Sequence, residues 1–353
     1  MASLRATALA LIWVMMSLIG QSKAELSFGF YRGKCGSKDV EAIVRNVVFG
    51  WNDTTIAAAL LRLQFHDCFV NGCDASILLD GTGSEKEAGP NRSVRGYEII
   101  DAAKAALEME CPAGLVSCAD IIVMATRDAV ARSGGHLYAV QTGRRDGVES
   151  LASKVNLPAP SISVSDSIKA FAEKGLNATD MISSITFKLV SLRLVPFTLF
   201  WILTPFGHTV GVAHCSHFKD RLYNFQGTGK PDPDMAEDLL RKLRSTCPEN
   251  AALDNTANLD RNPESAYVVD NSFYQQIVQR KGILRIDQAI AMDPETLDIV
   301  RTAASAPDFP SRFASAIVKL GAVEVLIGTQ GQIRNSCRVV NVNGPVGLDK
   351  ILS

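Results

Sequence analysis

The sequence lacks the surplus of positive charge that proteins binding nucleic acids carry. Its 353 residues contain 36 Lys and Arg against 37 Asp and Glu, which gives a formal net charge of −1. A general nucleic-acid binder would show a basic excess, usually gathered on one face. No nucleic-acid partner is therefore expected.

Paired Cys-x-x-Cys motifs, internal repeats and alternating strand–helix patterns are also missing. A cysteine-based zinc site is thus disfavoured, and so is a parallel-sheet fold. Segment 56–65, rich in Ala and Leu, predicts a helix. Segment 117–120 resembles a capping box that opens an apolar-periodic run to Arg132. Segments 165–174 and 310–320 repeat the pattern, so the predicted class is an all-α enzyme with long irregular connections.

The first 24 residues have the features of a signal peptide. One early positive charge at Arg5 precedes an apolar run at 8–19, and small residues stand at Ser22 and Ala24. Cleavage is expected before Glu25. The apolar run is too short for a comfortable membrane span. The sequence thus predicts export to the extracellular space or cell wall, with the vacuole as the lesser alternative, and no membrane span after cleavage.

All eight cysteines follow this leader. An even count in a secreted chain predicts four disulfides, but spacing alone leaves their pairing open. Asn-x-Ser/Thr sequons at Asn52, Asn91 and Asn177 agree with a secretory route and predict a glycoprotein.

Arg62 and His66 form the most informative pair of side chains. Four residues apart, they share one face if the helix of 56–65 continues. An imidazole can carry a proton between the two oxygens of a peroxide, and a guanidinium can stabilise the charge that develops on the departing oxygen. The alternative is an incidental pair on a helix surface.

The whole string 62–76, RLQFHDCFVNGCDAS, resembles the distal-site signature of plant secretory (class III) haem peroxidases. Further matching segments extend over most of the chain, including 95–97, 116–120, 142–147, 207–211, 221–225 and 270–274. The resemblance implies two mainly helical domains sandwiching haem b, a distal one over 25–160 and a proximal one over 161–337, followed by a tail at 338–353. It also implies a monomer that reduces hydrogen peroxide and oxidises small, mainly phenolic, donors by one-electron steps.

The resemblance assigns roles to individual residues. On the distal side, Arg62 is the arginine, Phe65 the aromatic wall and His66 the acid–base group. Asn91 accepts a hydrogen bond from the imidazole, although its spacing to Arg95 is one residue shorter than in the commonest pattern. A glycan on Asn91 would be incompatible with that bond. The remaining assignments are His208 as the iron ligand, Asp287 as its carboxylate partner and Pro158 beside the donor channel.

Two calcium ions and four disulfides are implied in the same way. Oxygen atoms are the ligands that calcium prefers. The distal set would be Asp67, Val70, Gly72, Asp74, Ser76 and, through water, Glu85. The proximal set would be Thr209, Asp260, Ser265, Val268 and Asp270, with a stretch before Asp270 that is longer than usual. The implied disulfides are Cys35–Cys111, Cys68–Cys73, Cys118–Cys337 and Cys215–Cys247.

Segment 183–206 departs from the resemblance as an apolar insertion before His208. A transmembrane helix is disfavoured by its short uncharged run and its prolines. A genuine loop costs little closure entropy, but one so apolar would promote aggregation if exposed. A retained intron or mistaken gene model is favoured, because the family pattern stops near Ser183 and resumes at Gly207.

The insertion defines the main alternative function, a catalytically impaired peroxidase-like secreted protein in which haem ligation by His208 is disrupted. A secreted disulfide-rich binding module is a third hypothesis, but it leaves Arg62, His66, His208 and Asp287 unexplained. A lignin- or manganese-type peroxidase fits the chemistry, yet the distal string and the implied disulfides favour the plant secretory group.

Overall fold

The computed structural model describes residues 25–159, 161–182 and 208–342. The leader, the apolar insertion and the end of the tail lie outside these residues. Within them are twelve α-helices. They are α1 Val40–Gly50, α2 Ile56–Val70, α3 Tyr97–Glu110, α4 Cys118–Arg132, α5 Val164–Glu173, α6 Ala178–Ile182, α7 Lys219–Tyr223, α8 Glu237–Thr246, α9 Ser272–Val278, α10 Arg285–Ile290, α11 Leu297–Ser305 and α12 Phe309–Leu320.

Four short strands form two antiparallel pairs. Strand β1 (Ser27–Phe28) pairs with β2 (Gln141–Thr142), and β3 (Val212–His214) pairs with β4 (Thr256–Asn258). The predicted all-α class is confirmed, because these strands only fasten connections between helices. None of the helices in the described ranges is both long and apolar enough to span a membrane.

The start of α4 agrees only in part with the predicted capping box. Ser117 caps the helix, since its hydroxyl accepts a hydrogen bond from the Asp120 backbone N–H at 3.2 Å. The Asp120 carboxylate, however, accepts from the Tyr31 hydroxyl at 2.6 Å, the Gly143 N–H at 2.7 Å and the Arg144 guanidinium at 2.9 Å. The reciprocal half of the box is therefore wrong. The Asp120 carboxylate is fully buried, and these charge-assisted hydrogen bonds offset the cost of removing it from water.

Helix α2 contributes to both hydrophobic clusters of the protein. Leu60 and Leu63 pack with α1, α3 and α4, whereas Leu61 and Phe69 pack with the cluster formed by α5 to α12. A helix that is apolar on several faces is buried among neighbours rather than at the surface. One cluster includes residues from both sides of the predicted boundary at 160–161, and the division into two domains stays a prediction.

All eight cysteines form disulfides. The pairs are Cys35–Cys111, Cys68–Cys73, Cys118–Cys337 and Cys215–Cys247. They are the pairs that the family resemblance implies. Cys118–Cys337 fastens the C-terminal segment to α4 across a sequence separation of 219 residues.

Candidate active site

A cavity of about 880 Å³ lies between α2 and the segment that follows residue 207. Arg62, Phe65 and His66 line one side, and His208 lines the same cavity from the segment that leads to β3. Pro158 also contributes to the wall. This volume lies at the upper end of the range of small-molecule and cofactor pockets. The structure thus brings the predicted distal, proximal and donor-side residues to one space.

Hydrogen bonds fix the protonation pattern of His66. Its Nδ1 lies 2.6 Å from Asn91 Oδ1, and the Asn91 amide nitrogen donates to the Glu85 carbonyl at 2.8 Å. Because the Asn91 oxygen is an acceptor, the His66 proton sits on Nδ1. Nε2 therefore carries the lone pair, toward which Arg62 Nε donates at 3.3 Å.

Burial lowers the pKa of His66 to about 4. The nearby Arg62 charge lowers the pKa further, whereas the bond to Asn91 opposes the shift. The imidazole is consequently neutral near pH 7 and able to accept a proton.

The guanidinium of Arg62 is held in place by the loop on either side of Asn91. Its Nη2 donates to the Pro90 carbonyl and to the Ser93 hydroxyl, both at 3.0 Å. Ser93 was missed in the sequence because its link to Arg62 depends on a contact 31 residues away. These bonds hold the guanidinium toward the cavity at little further entropic cost.

Phe65 forms an aromatic wall beside His66. Its ring lies 5.9 Å from the His66 ring at a steep angle and stacks at 5.9 Å on Phe171 of α5. Phe171 is a second cavity residue that the sequence did not reveal. The two rings give this part of the cavity an apolar surface that limits the room for water.

His208, which lines the same cavity, pairs with Asp287 of α10. The distance from His208 Nδ1 to Asp287 Oδ1 is 2.7 Å, and the carboxylate is fully buried. The same tautomer therefore follows for His208, with the proton on Nδ1 and the lone pair on Nε2. A buried carboxylate behind an imidazole is a common arrangement of histidines that ligate metals.

Comparison with known proteins identifies the family. The peroxidase family model matches residues 37–306. The chain belongs to the peroxidase family. It is 46% identical over 322 residues to Peroxidase 57 of Arabidopsis thaliana, covering 90% of this chain and 93% of that protein. Peroxidase 44 of Arabidopsis thaliana is 46% identical over 338 residues, and Peroxidase 5 of Vitis vinifera is 40% identical over 352 residues.

These matches confirm the family predicted from the distal string, and the chain is a peroxidase. For Peroxidase 44 they cover 94% of this chain and 98% of that protein. Nothing in the fold or the comparisons supports the alternative of an impaired peroxidase-like protein. The insertion on which that alternative depends lies outside the described residues.

Residues 67–85 of this peroxidase, called the distal loop below, contain buried oxygen atoms that outnumber the hydrogen-bond donors near them. Asp67 Oδ1, Ser76 Oγ and Glu85 Oε2 are buried and have no hydrogen-bond partner. Burial and the negative charges of Asp74 and Glu85 raise the pKa of Asp67 well above its usual range. Burial, reinforced by the Asp74 charge, raises the pKa of Glu85 to about 7. A bound cation would satisfy these oxygens and offset their repulsion.

No group of three or more His, Cys, Asp and Glu side chains in the described ranges is arranged to hold a metal by itself. A cation at the distal loop must therefore also use hydroxyl and backbone oxygens. The family resemblance implies the hydroxyl oxygen of Ser76 and the backbone oxygens of Val70 and Gly72. Such a mixed oxygen set suits calcium.

The predicted proximal calcium residues also lie together, but many of their oxygens already bond one another. Ser265 Oγ donates to Asp260 Oδ2 at 2.6 Å, and Thr209 Oγ1 donates to the Asp270 carbonyl at 2.6 Å. Ser272 Oγ adds a bond to Asp260 Oδ1 at 3.2 Å. The residues form a hard-oxygen cluster, with Val268 in the same turn.

Proposed function

We propose that this peroxidase binds haem b in the cavity between His66 and His208 and uses it to reduce hydrogen peroxide. The observation that carries the proposal is a pair of histidines that face one cavity. Each holds its Nδ1 proton against an acceptor, Asn91 or Asp287, and so presents Nε2 to the interior. Bound haem would supply the redox chemistry, passing electrons to the peroxide and accepting them back one at a time from small, mainly phenolic, donors.

The distal residues would move the proton of the peroxide. His66 Nε2 would accept the proton from one peroxide oxygen and return it to the other, which leaves as water, while bound haem would supply the electrons for cleavage of the O–O bond. Arg62 stabilises the negative charge that develops as the O–O bond breaks. Asn91 keeps the His66 lone pair directed at the substrate, and Phe65 keeps water away.

The proximal residues would set the strength of the iron ligand. His208 would bind through Nε2, while Asp287 Oδ1 accepts a hydrogen bond from the Nδ1–H and fixes the ring orientation. The negative charge of Asp287 makes the imidazole a stronger electron donor. Two calcium ions would occupy the distal and proximal oxygen clusters and hold the loops beside His66 and His208.

The donor would reach the site past Pro158, which lines the cavity. The paired cysteines support an oxidising compartment, in line with a leader that directs the chain to the extracellular space or wall. We further propose that the mature protein acts as a monomer.

Replacing His208 by alanine should abolish normal haem ligation. The purified chain, reconstituted with haem, should show the Soret band of a histidine-ligated ferric haem and oxidise phenols only when peroxide is present. The His208→Ala variant should lose that spectrum, because the nitrogen ligand is gone. His136 is exposed, its Nδ1 lies 3.3 Å from the Ser311 hydroxyl, and it is not among the described residues that line the cavity, so His136→Ala serves as the control. A normal Soret band in His208→Ala would contradict the assignment.

Glycan occupancy should differ between the sequons. Asn91 is buried, and both ends of its amide are hydrogen-bonded, so a glycan there cannot coexist with the His66 contact. Asn52 is exposed in the connection between α1 and α2. Peptide mapping of the secreted, active protein should find a glycan on Asn52 and an unmodified Asn91. A glycan on Asn91 in the active fraction would refute the role of that residue.

A further inference from the structure

We propose that Arg334 is a positioning residue of the distal calcium site, through which the C-terminal segment sets the affinity of that site for calcium. The inference rests on the distal calcium proposed above. Arg334 lies outside the distal string, 259 residues from Ala75, one of its hydrogen-bond partners. It lies three residues before Cys337, whose disulfide with Cys118 fastens the segment to α4.

The guanidinium of Arg334 holds the backbone on which the calcium residues stand. The side chain is fully buried, and its Nη2 donates to the Ala75 carbonyl at 2.7 Å. Its Nη1 donates to the Gly147 carbonyl at 3.1 Å. Ala75 lies between Asp74 and Ser76, so this contact fixes the peptide that joins two proposed ligands.

Ala75 needs such support because of its backbone conformation. Its φ of 60° and ψ of 20° lie in the left-handed region, which residues with a Cβ atom rarely adopt. Strained residues of this kind persist only where surrounding contacts fix them. The Ala75 N–H donates to Asp67 Oδ2 at 3.0 Å, so its carbonyl and its amide are both held from outside the turn.

Gly147 provides the second support of the same turn. Its N–H donates to the Asp74 carbonyl at 2.7 Å, and its own carbonyl accepts from Arg334. A Cβ atom at position 147 would stand 2.1 Å from Asp74 Oδ2, so any side chain there would displace the Asp74 carboxylate. The Arg334 backbone N–H also donates to Asp146 Oδ2 at 2.9 Å. Residues 146–147 therefore bond Arg334 on one side and Asp74 of the distal loop on the other.

The charge of Arg334 and its positioning role predict opposite changes in calcium affinity when the residue is replaced. The guanidinium faces Asp67, Asp74 and Asp146, so its charge alone would repel a calcium ion from these carboxylates. Its removal would then strengthen calcium binding. If Arg334 acts by holding the Ala75 turn, its removal lets the turn relax and weakens binding. The geometry favours the second effect, because the two bonds end on backbone carbonyls rather than on carboxylates.

The test is calorimetric titration of calcium into the calcium-stripped holoenzyme. Arg334→Gln should lower the affinity of one of the two calcium-binding steps by about 10- to 100-fold, the range for residues that orient metal ligands. Saturating calcium should restore the rate of the peroxide step in this variant. Arg334→Lys keeps the charge but loses the two-pronged contact, and it should fall between the wild type and Arg334→Gln.

Arg221→Gln is the matched control. Arg221 is equally buried, and its Nη1 donates to the carbonyls of Gly282, Ile283 and Leu284, but it lies away from the distal loop. It should keep both calcium affinities, and added calcium should not correct any loss of stability. Calcium binding by Arg334→Gln as tight as the wild type, or tighter, would overturn the positioning role. If Arg334→Gln does not fold, wild-type affinity in Arg334→Lys would overturn it. A wild-type protein that binds no calcium would refute the calcium proposal itself.

Discussion

Replacing His66 by alanine should slow the reaction with hydrogen peroxide by about 10²- to 10⁴-fold, the usual contribution of a positioned acid–base group. The variant loses the Nε2 lone pair that accepts the peroxide proton, while Arg62 remains to stabilise the leaving oxygen. Stopped-flow measurement of the peroxide step alone would isolate this effect from donor oxidation.

The spectrum of the same variant separates catalysis from folding. His66→Ala should keep the Soret band of the resting enzyme, because the proposed iron ligand His208 and its partner Asp287 are unchanged. His136→Ala should keep both the spectrum and the rate. A His66→Ala variant that retains nearly the full rate would show that another group accepts the proton.

Removing the Cys118–Cys337 disulfide should lower the free energy of unfolding by about 5 kcal/mol, if the bond acts by restricting the unfolded chain. Its two cysteines are separated by 219 residues, so the reduced chain gains much loop entropy. This loss is comparable to the whole stability of many domains. Denaturant titration of the double serine variant would measure it.

Cys68–Cys73 offers a comparison within the same protein. These cysteines are only 5 residues apart, and the same model gives a loss of about 2 kcal/mol on their removal. Equal losses for the two pairs would show that contacts in the folded state, rather than loop length, determine the effect. The Cys118–Cys337 variant would also free the segment that carries Arg334.

The sequence predicted those features that depend on local spacing. Arg62 and His66 share a face because four residues make about one helical turn. The predicted helices at 165–174 and 310–320 match the observed ones to within a few residues at each end. The helix predicted at 56–65 begins where expected but continues to Val70. The pairing of the cysteines required the family resemblance, because spacing alone does not restrict it.

Features that depend on distant contacts were not predictable from the residues. Asp120 looked like part of a cap, yet its carboxylate bonds Tyr31, 89 residues away. Arg334 carried no signal at all, since an isolated arginine near a chain end is normally exposed. The assignments of His208, Asp287 and the calcium residues agree with their positions in the fold and stay proposals.

Helix α2 links the distal residues of the active site to the cooperative unfolding of the protein. Helix α2 packs in both hydrophobic clusters, so neither cluster can unfold alone without exposing the helix that carries His66. A substitution that disturbs either core is then transmitted to the distal residues. Substitutions should be better tolerated on the cavity wall around Pro158, where the chain is irregular and a change does not pass through a shared helix.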